Sequence, residues 1–136
     1  ELGLSRIELF EWQGNLEPVS FIETVDVTPG VKCDVYKFDD DNSKDLGVIR
    51  IDPGRATPRQ RVLQGEVTFE GYISGEGKLE IVRSDGSIEE LVAHSGLAVA
   101  VMIGDTMQWR AAENSYLRAY EVCIPPYVDG RFENIG

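Results

Sequence analysis

Short strand-like segments separated by turn residues run through most of this sequence, and they constrain the fold more than any other feature. Proline and glycine mark turns at Pro29-Gly30 and Pro53-Gly54, since proline fixes φ and glycine tolerates positive φ. The run 84–87 (Ser-Asp-Gly-Ser) joins two alternating segments as a hairpin. Strands at this spacing predict an all-β fold, either a sandwich or a barrel. The segments rich in β-branched and aromatic residues are 21–27, 31–38, 46–51, 78–83, 88–93, 97–103 and 116–123.

The chain has 136 residues, which suits one domain over 1–136 that buries its own core. The sequence shows no internal repeat and no linker. Residues 1–20 have weaker patterning than the rest. Two alternatives stand for them: an edge strand of the sheet, or an arm that pairs with a second subunit, because uncovered strand edges invite pairing.

The charge balance argues against two classes of partner. The net charge is −11, from 24 acidic and 13 basic residues, so the clustered positive charge that nucleic acids and anionic lipids require is missing. No apolar run approaches the ~20 residues needed to cross a bilayer. Cys33 and Cys123 are interpreted as reduced, packed thiols of a cytoplasmic protein, with a single disulfide as the alternative.

Two groups of residues then stand at characteristic intervals. The first group is Pro53, Gly54, Gln60, Val62 and Glu66, and the second is Gly96, Met102, Gly104, Met107 and Ala111. Both intervals resemble the two signature motifs of the cupin superfamily, and the resemblance covers 46–132, about two-thirds of the chain. It implies a cupin-type double-stranded β-helix, a jelly-roll barrel with a ligand pocket at one end.

The resemblance also shows what this chain lacks. In metal-binding cupins the first motif supplies two histidines and a glutamate, and the second motif supplies a third histidine. Here the corresponding residues are Gln60, Val62, Glu66 and Met107. A neutral amide, an alkyl group and a thioether are poor donors for iron, manganese, nickel or zinc. The only histidine, His94, lies outside the pattern, so we expect no tightly bound metal and no cofactor.

Side-chain alternation along barrel strands predicts the wall of the pocket, because every second residue faces inward. An apolar, aromatic cavity with a few oriented polar groups is typical of small-molecule sites. We therefore predict a metal-independent cupin that binds a small organic molecule, as a sensor or a carrier. The predicted ligand-binding residues are Gln60, Glu66, Tyr72, Met107 and Trp109.

An enzymatic alternative stays open. Some cupin-like sugar-nucleotide isomerases and epimerases work without metal, through a general acid and a general base. Such chemistry requires two titratable groups in one pocket. Glu66 and Tyr72 are the candidate catalytic residues, and Glu70 or Glu121 would assist them.

A structural alternative also stays open, in which the barrel interior is filled and pairing of subunits is the function. Cupins commonly form dimers through sheet packing. The aromatic side chains of Phe10, Trp12 and Phe21 would support such a contact. A homodimer is expected under this interpretation and is compatible with the other two.

Overall fold

The computed structural model describes residues 8–128 and 130–135, and these residues form two antiparallel sheets without a helix. The prediction of an all-β fold is therefore confirmed. No helix able to cross a membrane occurs in the part of the chain that the structure describes. Of the predicted amino-terminal segment, residues 1–7 lie outside the described residues.

The larger sheet has seven strands in the order β1-β2-β3-β4-β11-β6-β9, and the smaller has five in the order β12-β5-β10-β7-β8. The strands are β1 Glu8–Trp12, β2 Asn15–Thr28, β3 Val31–Phe38, β4 Asp45–Ile51, β5 Gln60–Val62, β6 Val67–Gly75, β7 Gly77–Val82, β8 Ile88–Val92, β9 Ala98–Val101, β10 Thr106–Ala111, β11 Leu117–Ile124 and β12 Phe132–Asn134.

The turn before β10 is fixed by the buried carboxylate of Asp105. This carboxylate accepts hydrogen bonds from the backbone N–H groups of Met102 and Ser84, both at 2.9 Å. It also accepts one from the guanidinium of Arg83 at 3.0 Å. Since β10 starts at the next residue, this network sets which of its side chains face inward.

The main core lies between the two sheets. Inward-facing residues of β3, β4 and β11 meet inward-facing residues of β5, β7 and β10, as the period of two along each strand requires. The buried members of this core are Val31, Ile49, Ile51, Val62, Leu79, Ile81, Val101, Met107, Trp109, Ala111, Leu117 and Ala119.

A second core covers the outer face of the larger sheet. The sheet curls so far that β1 lies over β6 and β11: the rings of Trp12 and Phe69 are 5.1 Å apart, as are those of Phe10 and Tyr120. Phe10 and Trp12 therefore pack within the chain, whereas Phe21 stays 53% exposed. β1 is an edge strand of the larger sheet. Homodimerisation remains a prediction.

Candidate functional site

Two glutamates face each other in the interior of the barrel. Glu70 on β6 and Glu121 on β11 are directly opposite in the antiparallel register. Both share the inward parity of core residues on their strands, such as Ala119 on β11. Glu70 is fully buried and Glu121 is partly exposed. We call these two residues the carboxyl pair.

Trp109 links the carboxyl pair to the opposite sheet. Its indole Nε1–H donates a 2.7 Å hydrogen bond to Oε1 of Glu70, from β10 in the smaller sheet to β6 in the larger one. The second oxygen, Oε2 of Glu70, is buried and receives no N–H or hydroxyl donor among the described residues, and the hydrogen-bonding group beside it is the Glu121 carboxyl. An indole N–H can serve only one acceptor, so the other half of the Glu70 carboxyl depends on Glu121.

The pair retains a proton above the usual range for carboxyl groups. Burial raises the pKa of Glu70 well above its ordinary value, and the neighbouring Glu121 raises it further. Burial also raises the pKa of Glu121, although the hydrogen bond with Glu70 partly lowers it. Two carboxyls at one buried site cannot both ionise cheaply, so the pair keeps a shared proton at pH values where isolated carboxyls have released theirs.

Glycine and cysteine residues surround Glu121. Gly47 is its direct partner on β4, and a Cβ at Gly47 would approach Sγ of Cys33 to 3.0 Å. Cys123 Sγ lies 3.8 Å from Oε1 of Glu121. Burial raises the pKa of the Cys33 thiol to about 12 and raises that of Cys123 as well. Both cysteines are free, and with raised pKa values their thiols are weakly nucleophilic.

The inward face of the larger sheet reaches solvent beside Glu121. Cys33, Val35 and Asp45 all point inward on β3 and β4, yet each is partly exposed. Burial raises the pKa of Asp45, and its carboxylate accepts a 2.9 Å hydrogen bond from the backbone N–H of Tyr127. We call this solvent-reaching end of the interior the barrel mouth.

The structure places the five sequence-predicted ligand residues in different surroundings. Met107 and Trp109 are buried in the main core. Tyr72 is half-buried against that core, and its hydroxyl donates to the carbonyl of Gly75 at 3.0 Å. Gln60 is half-buried on β5 and donates to Oδ1 of Asn134 at 3.2 Å. Glu66 precedes β6 and is exposed.

Sequence reasoning gave Glu70 and Glu121 only an assisting role. The signal that could have raised their rank is alternation within two strands. In β11 the residues of inward parity are Leu117, Ala119, Glu121 and Cys123, so one carboxyl interrupts an apolar row. In β6 the residues of inward parity are Thr68, Glu70 and Tyr72, and Glu70 is the charged one among them. A charged residue at a core position is rare unless it has a partner or a function.

The residues at the metal-ligand positions of the cupin motifs do not fit a metal ion. Val62 has no donor atom, Met107 is packed among apolar side chains, and Glu66 is exposed before β6. His94 is exposed, with its Nδ1 at 2.9 Å from the carbonyl of Ser95. Among the residues that the structure describes, no group of three or more His, Cys, Asp or Glu side chains is arranged to hold a metal ion.

Comparison with known proteins identifies relatives by structure alone. No protein-family model matches the sequence, and no curated protein matches it. Oxalate decarboxylase, in a study of its substrate binding mode, superposes with a TM-score of 0.70 at 14% identity, over 84% of this chain and 30% of that chain. A Bacillus subtilis oxalate decarboxylase variant gives the same values. A Streptomyces PAC13 variant with uridine gives 0.63 at 12% identity, over 84% of both chains.

The chain spans less than a third of the oxalate decarboxylase chain that it matches. Identities this low show the fold and leave activity, substrate and partners open. Both relatives are cupin-fold proteins, and the arrangement of the two sheets here superposes on theirs. The chain therefore has the fold of the cupin superfamily.

Proposed function

We propose that this cupin-fold chain binds a small organic molecule, without a metal ion, at the barrel mouth beside the carboxyl pair. The observation that carries the proposal is the carboxyl pair itself, two acidic side chains set directly opposite each other in the barrel interior, with Glu121 beside the solvent-reaching mouth. Burying carboxyl groups with few hydrogen-bond partners costs free energy. A ligand at the mouth that donates hydrogen bonds to Glu121 would offset part of that cost.

The surroundings of the pair define the class of ligand. A carboxyl pair that holds one proton carries one negative charge, so it favours hydroxyl and amine donors and disfavours anions. Apolar walls come from Tyr72 on β6 and Val99 on β9, which is the direct partner of Glu70. The expected ligand is a polyhydroxylated or amine-bearing molecule with an apolar part, which is the kind of ligand that a sensor or carrier holds.

Thermal unfolding in the presence of sugars and amphipathic amines tests this proposal. A ligand that binds only the folded state adds about 2.7 kcal/mol to the free energy of unfolding at one hundred times Kd, so Tm rises with ligand concentration. Glu121→Gln is expected to weaken binding about ten- to a hundredfold, since one charge-assisted hydrogen bond is worth ~1.5–3 kcal/mol. Glu76→Gln, at an exposed glutamate between β6 and β7, is the matched control.

The outcomes separate two locations for the ligand. Loss of affinity in Glu121→Gln, with Glu76→Gln unchanged, supports a site at the carboxyl pair. Loss in Glu66→Gln instead would put the ligand at the position predicted from the cupin motif. A complete screen without any concentration-dependent shift would remove the support for ligand binding.

The carboxyl pair favours one second candidate, a metal-independent acid–base enzyme. Two carboxyls that share a proton provide an acid and a base within one site, which isomerisation and epimerisation require. Because a similar fold was solved with uridine, nucleosides and nucleotide sugars belong in the screen. Glu70→Gln discriminates: an enzyme would lose turnover with binding largely retained, whereas a binding protein would change only in affinity.

A further inference from the structure

We propose a second binding site, for a phosphate group, on the outer face of the smaller sheet. A cleft of about 140 Å³ opens there, away from the barrel interior. We call it the outer cleft. Its lining combines positive side chains, carboxylates and one amide: Arg59, Lys78, Glu80, Glu90, Gln108 and Arg110.

The strand register brings two positive charges face to face in this cleft. Arg110 on β10 is the direct antiparallel partner of Lys78 on β7. Directly opposite residues have Cβ atoms about 5 Å apart, and like charges in such pairs destabilise a sheet. The pair therefore costs free energy unless anionic groups lie beside both side chains.

The carboxylates of the cleft are already engaged by other cations. Glu80 forms an ion pair with Arg59 at 3.0 Å, and Glu90 forms one with Lys78 at 3.0 Å. Arg110 has no carboxylate within ion-pair distance among the described residues. Three cations thus face two carboxylates, which leaves one positive charge in excess.

This local excess contrasts with the acidity of the whole chain. With 24 acidic and 13 basic residues, carboxylates are the charged groups most available to balance a cation. Instead the neighbouring position on β10 holds Gln108, a neutral side chain whose amide donates to the carbonyl of Thr57 at 2.9 Å. The amide is therefore fixed beside Arg110 and does not neutralise it.

An oxyanion of suitable size would satisfy these groups together. The planar guanidinium of Arg110 can donate two parallel hydrogen bonds to two oxygens of a phosphate, and the ammonium of Lys78 can donate to a third. The volume of the cleft suits an inorganic phosphate or the terminal phosphate of a small phosphomonoester. The site is independent of the carboxyl pair, which lies on the inward side of the other sheet.

Titration followed by NMR tests this site. Inorganic phosphate and phenyl phosphate are added separately at constant ionic strength, with sodium chloride as the reference, and the side-chain signals of Arg110 and Gln108 are recorded. We expect saturable shifts in the wild type and affinity at least tenfold weaker in Arg110→Ala and Lys78→Met. The matched control is Arg118→Ala, which removes an exposed arginine from the larger sheet and should bind as the wild type does.

Each outcome decides the proposal. Tighter binding of phenyl phosphate assigns the cleft to a phosphorylated small molecule, and equal affinity assigns it to free phosphate. Shifts that chloride reproduces, or affinity that Arg110→Ala leaves unchanged, would overturn the site. The outer cleft and the carboxyl pair share no residue. A negative result for the phosphate site therefore leaves the proposed function untouched.

Discussion

Replacing Trp109 by alanine is expected to lower the free energy of unfolding by about 4 kcal/mol. Trp109 is 1% exposed in the main core, and truncation of such a side chain leaves a cavity that costs ~3–5 kcal/mol. The substitution also removes the hydrogen bond that joins the two sheets through Glu70. Chemical denaturation of wild type and variant measures the difference.

Trp109→Phe separates the hydrogen bond from the packing, since it keeps an aromatic ring and deletes the N–H. Trp12→Phe is the matched control in the second core, where the indole has no bond to a carboxyl of any described residue. The loss at Trp109 should exceed the loss at Trp12 by ~1–3 kcal/mol, the cost of an unsatisfied buried acceptor. Equal losses would show that the Trp109–Glu70 bond contributes nothing beyond packing.

Replacing Arg131 by methionine is expected to cost about 3–4 kcal/mol. Arg131 is 1% exposed, and its guanidinium donates to the carbonyls of Pro125 at 2.7 Å and Val67 at 2.9 Å. It also donates to the hydroxyl of Thr68 at 3.1 Å. Methionine fills similar space but leaves these acceptors without a donor, and each unsatisfied buried group costs ~1–3 kcal/mol.

The exposed Arg118 provides the reference for this measurement. Arg118→Met should change the free energy of unfolding by less than ~0.5 kcal/mol, as surface substitutions usually do. If Arg131→Met were as stable as the wild type, the free-energy cost of burying the guanidinium would equal the free energy gained from its hydrogen bonds. That result would contradict a stabilising role for Arg131.

More of the fold than of the candidate site could be predicted from the sequence. Turn residues such as Pro29-Gly30 and strand alternation are local signals, and they predicted an all-β fold that the structure confirms. The amino-terminal hairpin was harder to predict. Phe10 and Trp12 become buried because the sheet curls and brings them against Tyr120 and Phe69. That curl is a property of the complete sheet and has no local signature.

Predicting the site required knowing which strands lie close together and in which register. The alternation of side chains along one strand does not provide that. The inward parity of Trp109 could be inferred from the motif, but its contact with Glu70 joins residues 39 positions apart on opposite sheets. The pairing of Glu70 with Glu121 depends on the register of β6 against β11. Glu66 was chosen by its motif position, and it lies before the strand that carries Glu70.

The carboxyl pair has a definite consequence for stability. The pKa of Glu70 is raised in the folded state, so the folded chain keeps a proton that the unfolded chain releases above its ordinary pKa of about 4.5. The stabilisation that this proton gives to the folded state is fully present below that pH. It is lost as the pH rises toward the folded pKa, with a slope of up to ~1.4 kcal/mol per pH unit.

Glu70→Gln imitates the protonated form at every pH. Its amide oxygen can accept the Trp109 N–H, and its NH₂ can donate to Glu121. The most direct measurement is the free energy of unfolding from pH 5 to pH 8 for wild type, Glu70→Gln and the exposed control Glu76→Gln. We predict that the wild type and Glu76→Gln lose stability together as the pH rises, whereas Glu70→Gln loses less and becomes the most stable at pH 8. Parallel curves for all three proteins would contradict a carboxyl pair that shares a proton in the barrel interior.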